Sequence, residues 1–279
     1  MPAPKPRIPM EKRIDLLVRN KSKESWLSLI AQIPKDRPDL HQKILSLASE
    51  TIIPALDPPF LLLDYLTQMF SRGGLLGLLS LQGLFTLISK HNLDYPHFYP
   101  QLYTLLDDPE LLAENENGQI RVQLFQSLDL FLSSTHLPGY LVGAFVKKLA
   151  RLALNGGAPT PATLWIVPFI YNLTKRHPVC VQMLHRAAKE IGQDPFDPKA
   201  PLESANALSS SLWEIAALDN HWLHKVALRN KILTQKCNKA PFKMQEYCSQ
   251  SFASLMAYEQ QRALPKDPVF INSEARNIF

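Results

Sequence analysis

Apolar residues recur along this chain at helical spacing, in segments that Pro and short polar clusters interrupt every 15–20 residues. In 138–154 (PGYLVGAFVKKLARLAL), Leu141, Phe145, Leu149 and Leu152 follow one another at steps of four, four and three, which draws one apolar stripe. Pro138 suits a first helical turn, where its missing N–H costs nothing. In 118–135, Val122, Phe125, Leu128 and Leu132 are spaced three, three and four, and Ser133-Ser134-Thr135 ends the run. The same reading predicts helices over about 10–20, 22–33, 38–53, 58–71, 74–90, 96–106, 162–176, 178–191, 204–219, 221–236 and 246–263. Pro168, inside WIVPFIYNL, is expected to kink its helix. Residues 1–9 are Pro-rich, basic and extended on this reading, residues 10–263 form the helical domain, and 264–279 form an extended tail.

Many helices of 12–18 residues with short connections imply an all-α fold, an irregular HEAT/armadillo-like α-solenoid of antiparallel helix pairs without a strict repeat. Composition agrees: 46 % of residues are hydrophobic, 20 % are charged and Gly is scarce, so the chain can bury a core. The segment GGLLGLLSLQGLFTLIS, 73–89, is uncharged over 17 residues. It reads as a buried solenoid helix, the alternative being a membrane segment, for which ~20 apolar residues are needed.

The net charge of +5 sits in the first 23 residues, where seven Lys and Arg face Glu11 and Asp15; the rest is balanced. Charge is nonetheless segregated. Residues 94–116 hold six acids and no Lys or Arg; residues 225–243 hold Lys225, Arg229, Lys231, Lys236, Lys239 and Lys243 and no acid. These are solvated faces, or complementary surfaces for a protein or RNA partner. Cys180, Cys237 and Cys248 match no disulfide framework and fit a reducing compartment. The opening MPAPKPRIPMEKR lacks the apolar stretch of a secretory leader.

Candidate chemistry is sparse. Phosphate-loop, dinucleotide-binding, H-E-x-x-H and C-x-x-C patterns do not occur. His221 and His224, or His177 and Cys180, could pair on a helix face, but neither pair has a third metal ligand nearby. Ser133, Ser134 and His136 read as helix-end chemistry rather than a nucleophile and its base. The sequence therefore points to no catalytic residue, cofactor, metal or small-molecule substrate. Lys147, Lys148 and Arg151, together with the basic run, could neutralise phosphates, giving RNA contact through the backbone and not through sequence reading.

Residues 80–178 carry a resemblance. SLQGLFTLISKHNLDYPHFYPQLYTLLD, LFQSLDLFLSSTHLPGYLVGAFVKKLARLAL and IVPFIYNLTKRHPVC resemble the CCAAT-binding-factor (CBF) domain family. The match extends upstream through KILSLASETIIPALDPPFLLLDYLT and downstream through QDPFDPKAPLESANALSSSLWEIAALDNHW, which is similar to the family's D-P-[YF]-D-P and S-x-L-W-E elements. The resemblance implies a HEAT-like solenoid in the nucleus and nucleolus, without a catalytic centre, that pairs with nucleolar protein 14 inside the small-subunit processome. Its signature residues here are Asp129, Ser133, Ser134, His136, Leu137, Pro138, Tyr140, Lys148, Arg151, His177 and Pro178. Family members usually carry a further N-terminal helical region, whereas about 40 residues precede the match here.

The expected partner surface comprises Lys147, Lys148 and Arg151, then Lys225, Arg229, Lys231 and Lys236, and the tail's apolar Val269, Phe270 and Ile271. A DNA-binding transcriptional regulator is the alternative the family name suggests; it would need a basic helix or zinc module, and neither pattern is present.

Overall fold

A computed structural model describes residues 9–20, 23–114, 119–186, 193–235 and 239–261. These residues form helices and turns with no β-strand among them, so the chain is all-α. In order they are α1 (Met10–Asn20), α2 (Lys23–Ala31), α3 (Pro38–Leu47), α4 (Leu63–Phe70), α5 (Gly74–His91), α6 (Phe98–Leu105), α7 (Gln119–Phe131), α8 (Gly139–Leu154), α9 (Thr160–Arg176), α10 (Trp213–Ala217), α11 (His224–Thr234) and α12 (Phe252–Gln261). Shorter turns at Pro109–Leu112, Pro178–Met183, Ala207–Ser209 and Gln245–Cys248 fill connections.

Helices pack mainly on near neighbours in the chain. α5 rests on α3, α4, α6 and α7; α8 rests on α9 and α10; α9 rests on α11 and α12. Such near-neighbour packing is consistent with a stacked helical array. One apolar core runs from Ile14 to Cys248. At its centre Trp165 of α9 stacks between Phe125, 4.1 Å away centre to centre, and Phe169, at 4.3 Å.

The uncharged segment is α5, a core helix: Gly77 to Leu81, Gly83, Leu84, Thr86 and Leu87 are all buried. Gly83 allows α4 to close on it, since a Cβ there would lie 2.9 Å from Leu66 Cδ2. No helix among the described residues is long and apolar enough to cross a membrane. On α8, Gly143 serves the same purpose for the 207–209 turn, where a Cβ would meet Leu208 Cδ2 at 2.8 Å.

Several predicted helices are shorter or broken. The 38–53 segment widens into a π-helical turn at Ala48–Ile52, just ahead of Pro54, which has no N–H to continue the α ladder. The 178–191 segment begins as a 3₁₀ turn over Pro178–Met183, and 204–219 is broken into the short Ala207–Ser209 turn, α10 and the start of a 3₁₀ turn at Leu218–Asn220. The 246–263 segment divides at Ser249–Ser251 because Ser251 caps α12. Ser254 N–H donates to Ser251 Oγ at 3.1 Å, and Ser251 N–H donates to Ser254 Oγ at 3.0 Å. α9 continues through Pro168.

A buried charge network and a candidate docking groove

α8 is buried along every face from Leu141 to Ala150. Its lysines therefore lie inside the protein, contrary to the partner surface expected from sequence. Lys147 is fully buried. Its Nζ contacts Glu214 Oε1 at 2.8 Å and Oε2 at 2.9 Å, Asp194 Oδ2 at 3.1 Å, and donates to the Ser211 carbonyl at 2.6 Å. Arg151, one turn on, is half-buried; it reaches Glu214 Oε1 at 3.2 Å through Nε and Asp194 Oδ2 at 3.0 Å through Nη2. Its guanidinium lies 4.6 Å from the Phe196 ring centre. Two cations and two carboxylates thus balance in one cluster.

Asp194 completes its shell with Ser210 Oγ (2.6 Å), Phe196 N–H (3.1 Å) and Trp213 Nε1 (3.2 Å), all donating to it. Burial pushes its carboxyl upward, but the donors from Ser210, Phe196, Lys147 and Trp213 outweigh burial and hold it well below the usual carboxylate range. The network explains the two downstream motifs in physical terms. D-P-F-D-P supplies Asp194 and Phe196, S-S-L-W-E supplies Ser211, Trp213 and Glu214, and both fasten onto the K-K-L-A-R of α8.

Lys148 turns the other way. It pairs with Asp107 at 2.8 Å, donates to the Tyr103 carbonyl, and lies 3.9 Å from the Tyr103 ring centre. Burial lowers its affinity for a proton, opposed by Asp107; burial and Asp107 push the Tyr103 phenol up to about 12. Two more acids of the 94–116 stretch, Asp108 and Glu114, are used within the fold. Asp108 accepts from Gly74 N–H (2.9 Å) and Glu110 N–H (3.0 Å), capping α5 and the 109–112 turn. Glu114 accepts from Phe252 N–H at 3.0 Å, and the buried Arg121 stands 3.8 Å from it while donating to the Gln250 carbonyl at 2.7 Å.

The other signature residues shape the α7–α8 connection. Ser134 Oγ accepts the His136 N–H at 3.2 Å, and Arg176 Nη1 donates to the Leu132 carbonyl at 2.7 Å. Ser133, Ser134 and His136 are exposed, while His177 is buried beneath the connection. Burial raises the Asp129 carboxyl, with Arg176 opposing. No three His, Cys, Asp or Glu side chains gather as a metal would require among the described residues.

Of the C-terminal bases, Lys225 lies 4.6 Å from the Tyr258 ring centre and donates to Gln250 Oε1 at 3.3 Å. Arg229 lies over Tyr247 at 5.1 Å and Phe242 at 6.0 Å. Lys231 is exposed. Lys236, Val269, Phe270 and Ile271 lie outside the described residues.

Sequence reasoning missed an apolar groove in this region. Trp222, Phe252, Met256 and Glu259 line an open cleft of about 570 Å³ between the start of α11 and the length of α12. Its floor is Leu223 and Leu255, which join Leu164 and Val226 in a small cluster separate from the main core. Trp222 is 77 % exposed, Met256 65 % and Phe252 44 %, an apolar face of the kind that marks interaction sites. The available signal was Trp222 beside His221 in a polar stretch, DNHWLHK, where a large aromatic has no stripe to join.

An all-α array with its buried charges used for folding and an open apolar groove beside α12 belongs, by class, with helical-array domains. The model of the CBF/Mak21 family matches residues 77–229, and the chain belongs to that family. It is 44 % identical over 237 residues to the human nucleolar complex protein 4 homolog, covering 84 % of this chain and 43 % of the human protein. Against nucleolar complex protein 4 of Saccharomyces cerevisiae the identity is 35 % over 282 residues, covering 92 % of this chain and 49 % of the yeast protein. The chicken homolog is 43 % identical over 219 residues, 77 % of this chain and 41 % of that protein. The chain thus spans about half the length of these relatives or somewhat less. The nuclear and nucleolar setting expected from the sequence is the one these relatives' names carry.

Proposed function

We propose that this chain is a scaffold without chemistry of its own that acts in nucleolar ribosome assembly, within the small-subunit processome. In that setting it pairs with nucleolar protein 14 and supports pre-rRNA processing and maturation of the small ribosomal subunit. The observation that carries this reading is the similarity to the human and yeast nucleolar complex proteins over 84 % and 92 % of the chain. Residues 10–263 act as one helical unit, and the partner docks on its C-terminal part, where the Trp222–Met256 groove is open. Pre-rRNA contact, where it occurs, runs through exposed lysines such as Lys231, Lys239 and Lys243 and weakens with salt.

Affinity purification of the tagged chain from nucleoli tests the reading. Nucleolar protein 14 and small-subunit precursors are expected to co-purify, and depletion is expected to lower small-subunit output. Exclusive recovery of large-subunit precursors, or of chromatin with transcription factors, would replace this reading with another. Reversing Lys225, Arg229, Lys231 and Lys236 to Glu is expected to weaken association at low salt; unchanged affinity in a folded variant would mark these residues as ordinary solvated charge.

A further inference from the structure

A second cleft, of about 480 Å³, opens between the start of α6, the start of α8 and the 201–203 turn, and it shares no lining residue with the Trp222 groove. We propose that this cleft docks a proline-rich segment of another protein, extended as a polyproline II helix and flanked by Lys or Arg. This goes beyond the scaffold reading, because it adds a separate docking surface and names the kind of segment it takes.

The lining is mostly rings: Pro96, Pro100, Pro138 and Pro201, with Tyr99 and Tyr140. Neighbouring contacts fix the two tyrosines differently. Tyr99 donates its hydroxyl to the Phe131 carbonyl at 3.3 Å and sets its ring edge-on to Phe98, 5.2 Å away between centres. Pro138 leads into α8 with ψ at 135°. Gly139 then lets the first turn press on the Pro178–Met183 turn, since a Cβ there would stand 2.6 Å from Val179 Cγ1. The next residue, Tyr140, is 38 % exposed, and its hydroxyl bonds to none of the described residues.

These features select the occupant. Strand addition needs a sheet edge, and the described residues contain no strand. An α-helix has already bonded its own carbonyls and would leave the Tyr140 hydroxyl without a backbone acceptor. A polyproline II segment has no internal hydrogen bonds, so its carbonyls are open to that hydroxyl, and its rings pack into aromatic-lined grooves. Charge selects the flank. Glu203 lines the cleft, is exposed and has no ion pair among the described residues. Asp94, likewise exposed and without an ion pair among them, lies two residues before Pro96. No Lys or Arg lines the cleft, so its rim is complementary to a basic segment.

Fluorescence polarisation on the full chain provides the test, with a labelled nine-residue peptide of Pro and Leu carrying Arg at both ends as probe. The chain is expected to bind it, and to bind more weakly both the peptide with Ala for Pro, which favours a helix, and the peptide with Glu for Arg. Tyr140→Ala is expected to weaken binding about tenfold or more. Tyr140→Phe is expected to weaken it about threefold to tenfold, the worth of one net hydrogen bond, with the parental melting temperature. Glu203→Lys is expected to narrow the preference for Arg ends over Glu ends. Met256→Glu, in the other groove, is expected to leave peptide binding unchanged, so the two docking surfaces can fail separately. Absence of binding to the parent chain would overturn the proposal, as would equal binding of the Ala-for-Pro peptide or unaltered binding by both Tyr140 variants. Uptake that appears only after residues 1–8 are removed would also overturn it, by assigning the cleft to the chain's own start. A dimer in sedimentation that Tyr140→Ala dissolves would do the same, by assigning it to a second copy.

Discussion

α9 and α12 lie against each other yet are built on opposite principles. α9 is buried from Pro161 to Thr174, and its aromatic rings stack at the centre of the core. α12 buries Leu255 alone among its residues and exposes Phe252, Met256 and Tyr258. The first is held by packing on several sides. The second is held at its start by Ser251, Ser254 and the Glu114 carboxylate, and along its length by one small cluster. Surfaces that exchange partners come from such weakly anchored elements, because they can respond to binding without disturbing the fold. The family model ends at residue 229, after Trp222 but before α12, so the groove is completed by a segment beyond the matched region.

The sharpest way to break the contrast is to remove a charge from the rigid side. Lys147→Met leaves Glu214, which is fully buried, without its closest cation. Breaking a buried pair in this way costs about 3–5 kcal/mol, read as a lower midpoint in chemical denaturation. Adding Glu214→Leu is expected to recover much of the loss, while Arg151 and Asp194 retain each other at 3.0 Å. If the double variant is no better than the single one, the network does more than balance charge.

A packing deletion should separate the regions almost as widely. Leu149→Ala on α8, at 1 % exposure, is expected to cost about 2–5 kcal/mol. Met256→Ala on α12 is expected to stay within about 0.5 kcal/mol. Equal losses at the two sites would mean that α12 is integrated into the core.

How far the fold was legible follows from which forces act locally. The stripe of Leu141, Phe145, Leu149 and Leu152 is a local signal, and all but the half-buried Leu152 are buried as expected. The α5 boundary was legible from Gly73 and from Asn92, which takes a left-handed φ of 53°. Lys147 was misread because charged residues default to the exterior, whereas its partners stand 47 and 67 positions away. A better cue was that α8 carries little polar surface of any kind, which is the mark of a helix buried all round. Glu214, a lone acid in LWEIAAL, gave the matching half of that cue. The break at Ser249–Ser251 was readable from the S-x-x-S pattern, but Glu114, which strengthens the cap, lies 138 residues away.

Acid should act first through buried histidines, on the rigid side through His41 and His177 and beside the groove through His221, whose proton affinity burial also lowers. Burial lowers the proton affinity of His41, assisted by Arg72, and of His177, assisted by Arg176. In both rings Nε2 is buried without a hydrogen-bond partner. The unfolded chain, with His near 6.5, therefore binds protons first. Stability present above that value is expected to fall as pH drops from 7 toward 5. Asp194, held low by its donors, adds a loss only below about pH 4, where the unfolded carboxyl begins to protonate. Melting temperatures at pH 7 and 5 check the first step, and His177→Gln is expected to flatten the slope; an unchanged slope would place the acid sensitivity elsewhere.

The smallest stability effect, and the most informative about function, is expected at Trp222. Its side chain is 77 % exposed, so Trp222→Ala removes little packing and should leave the melting temperature nearly unchanged, within about 0.5 kcal/mol of stability. A docking groove predicts a different outcome for association. Large aromatics at the centre of an interface are frequent hot spots, at which truncation costs about 2 kcal/mol or more. Trp222→Ala is therefore expected to lower partner affinity by more than tenfold in a protein that melts normally. Met256→Glu, which places a charge in the same groove, should act in the same direction. Lys147→Met offers the reciprocal control, losing stability while leaving the groove's surface intact. Should Trp222→Ala lower the melting temperature and spare binding, the contrast between the two regions would be inverted, and Trp222 would belong with the groups that hold the fold.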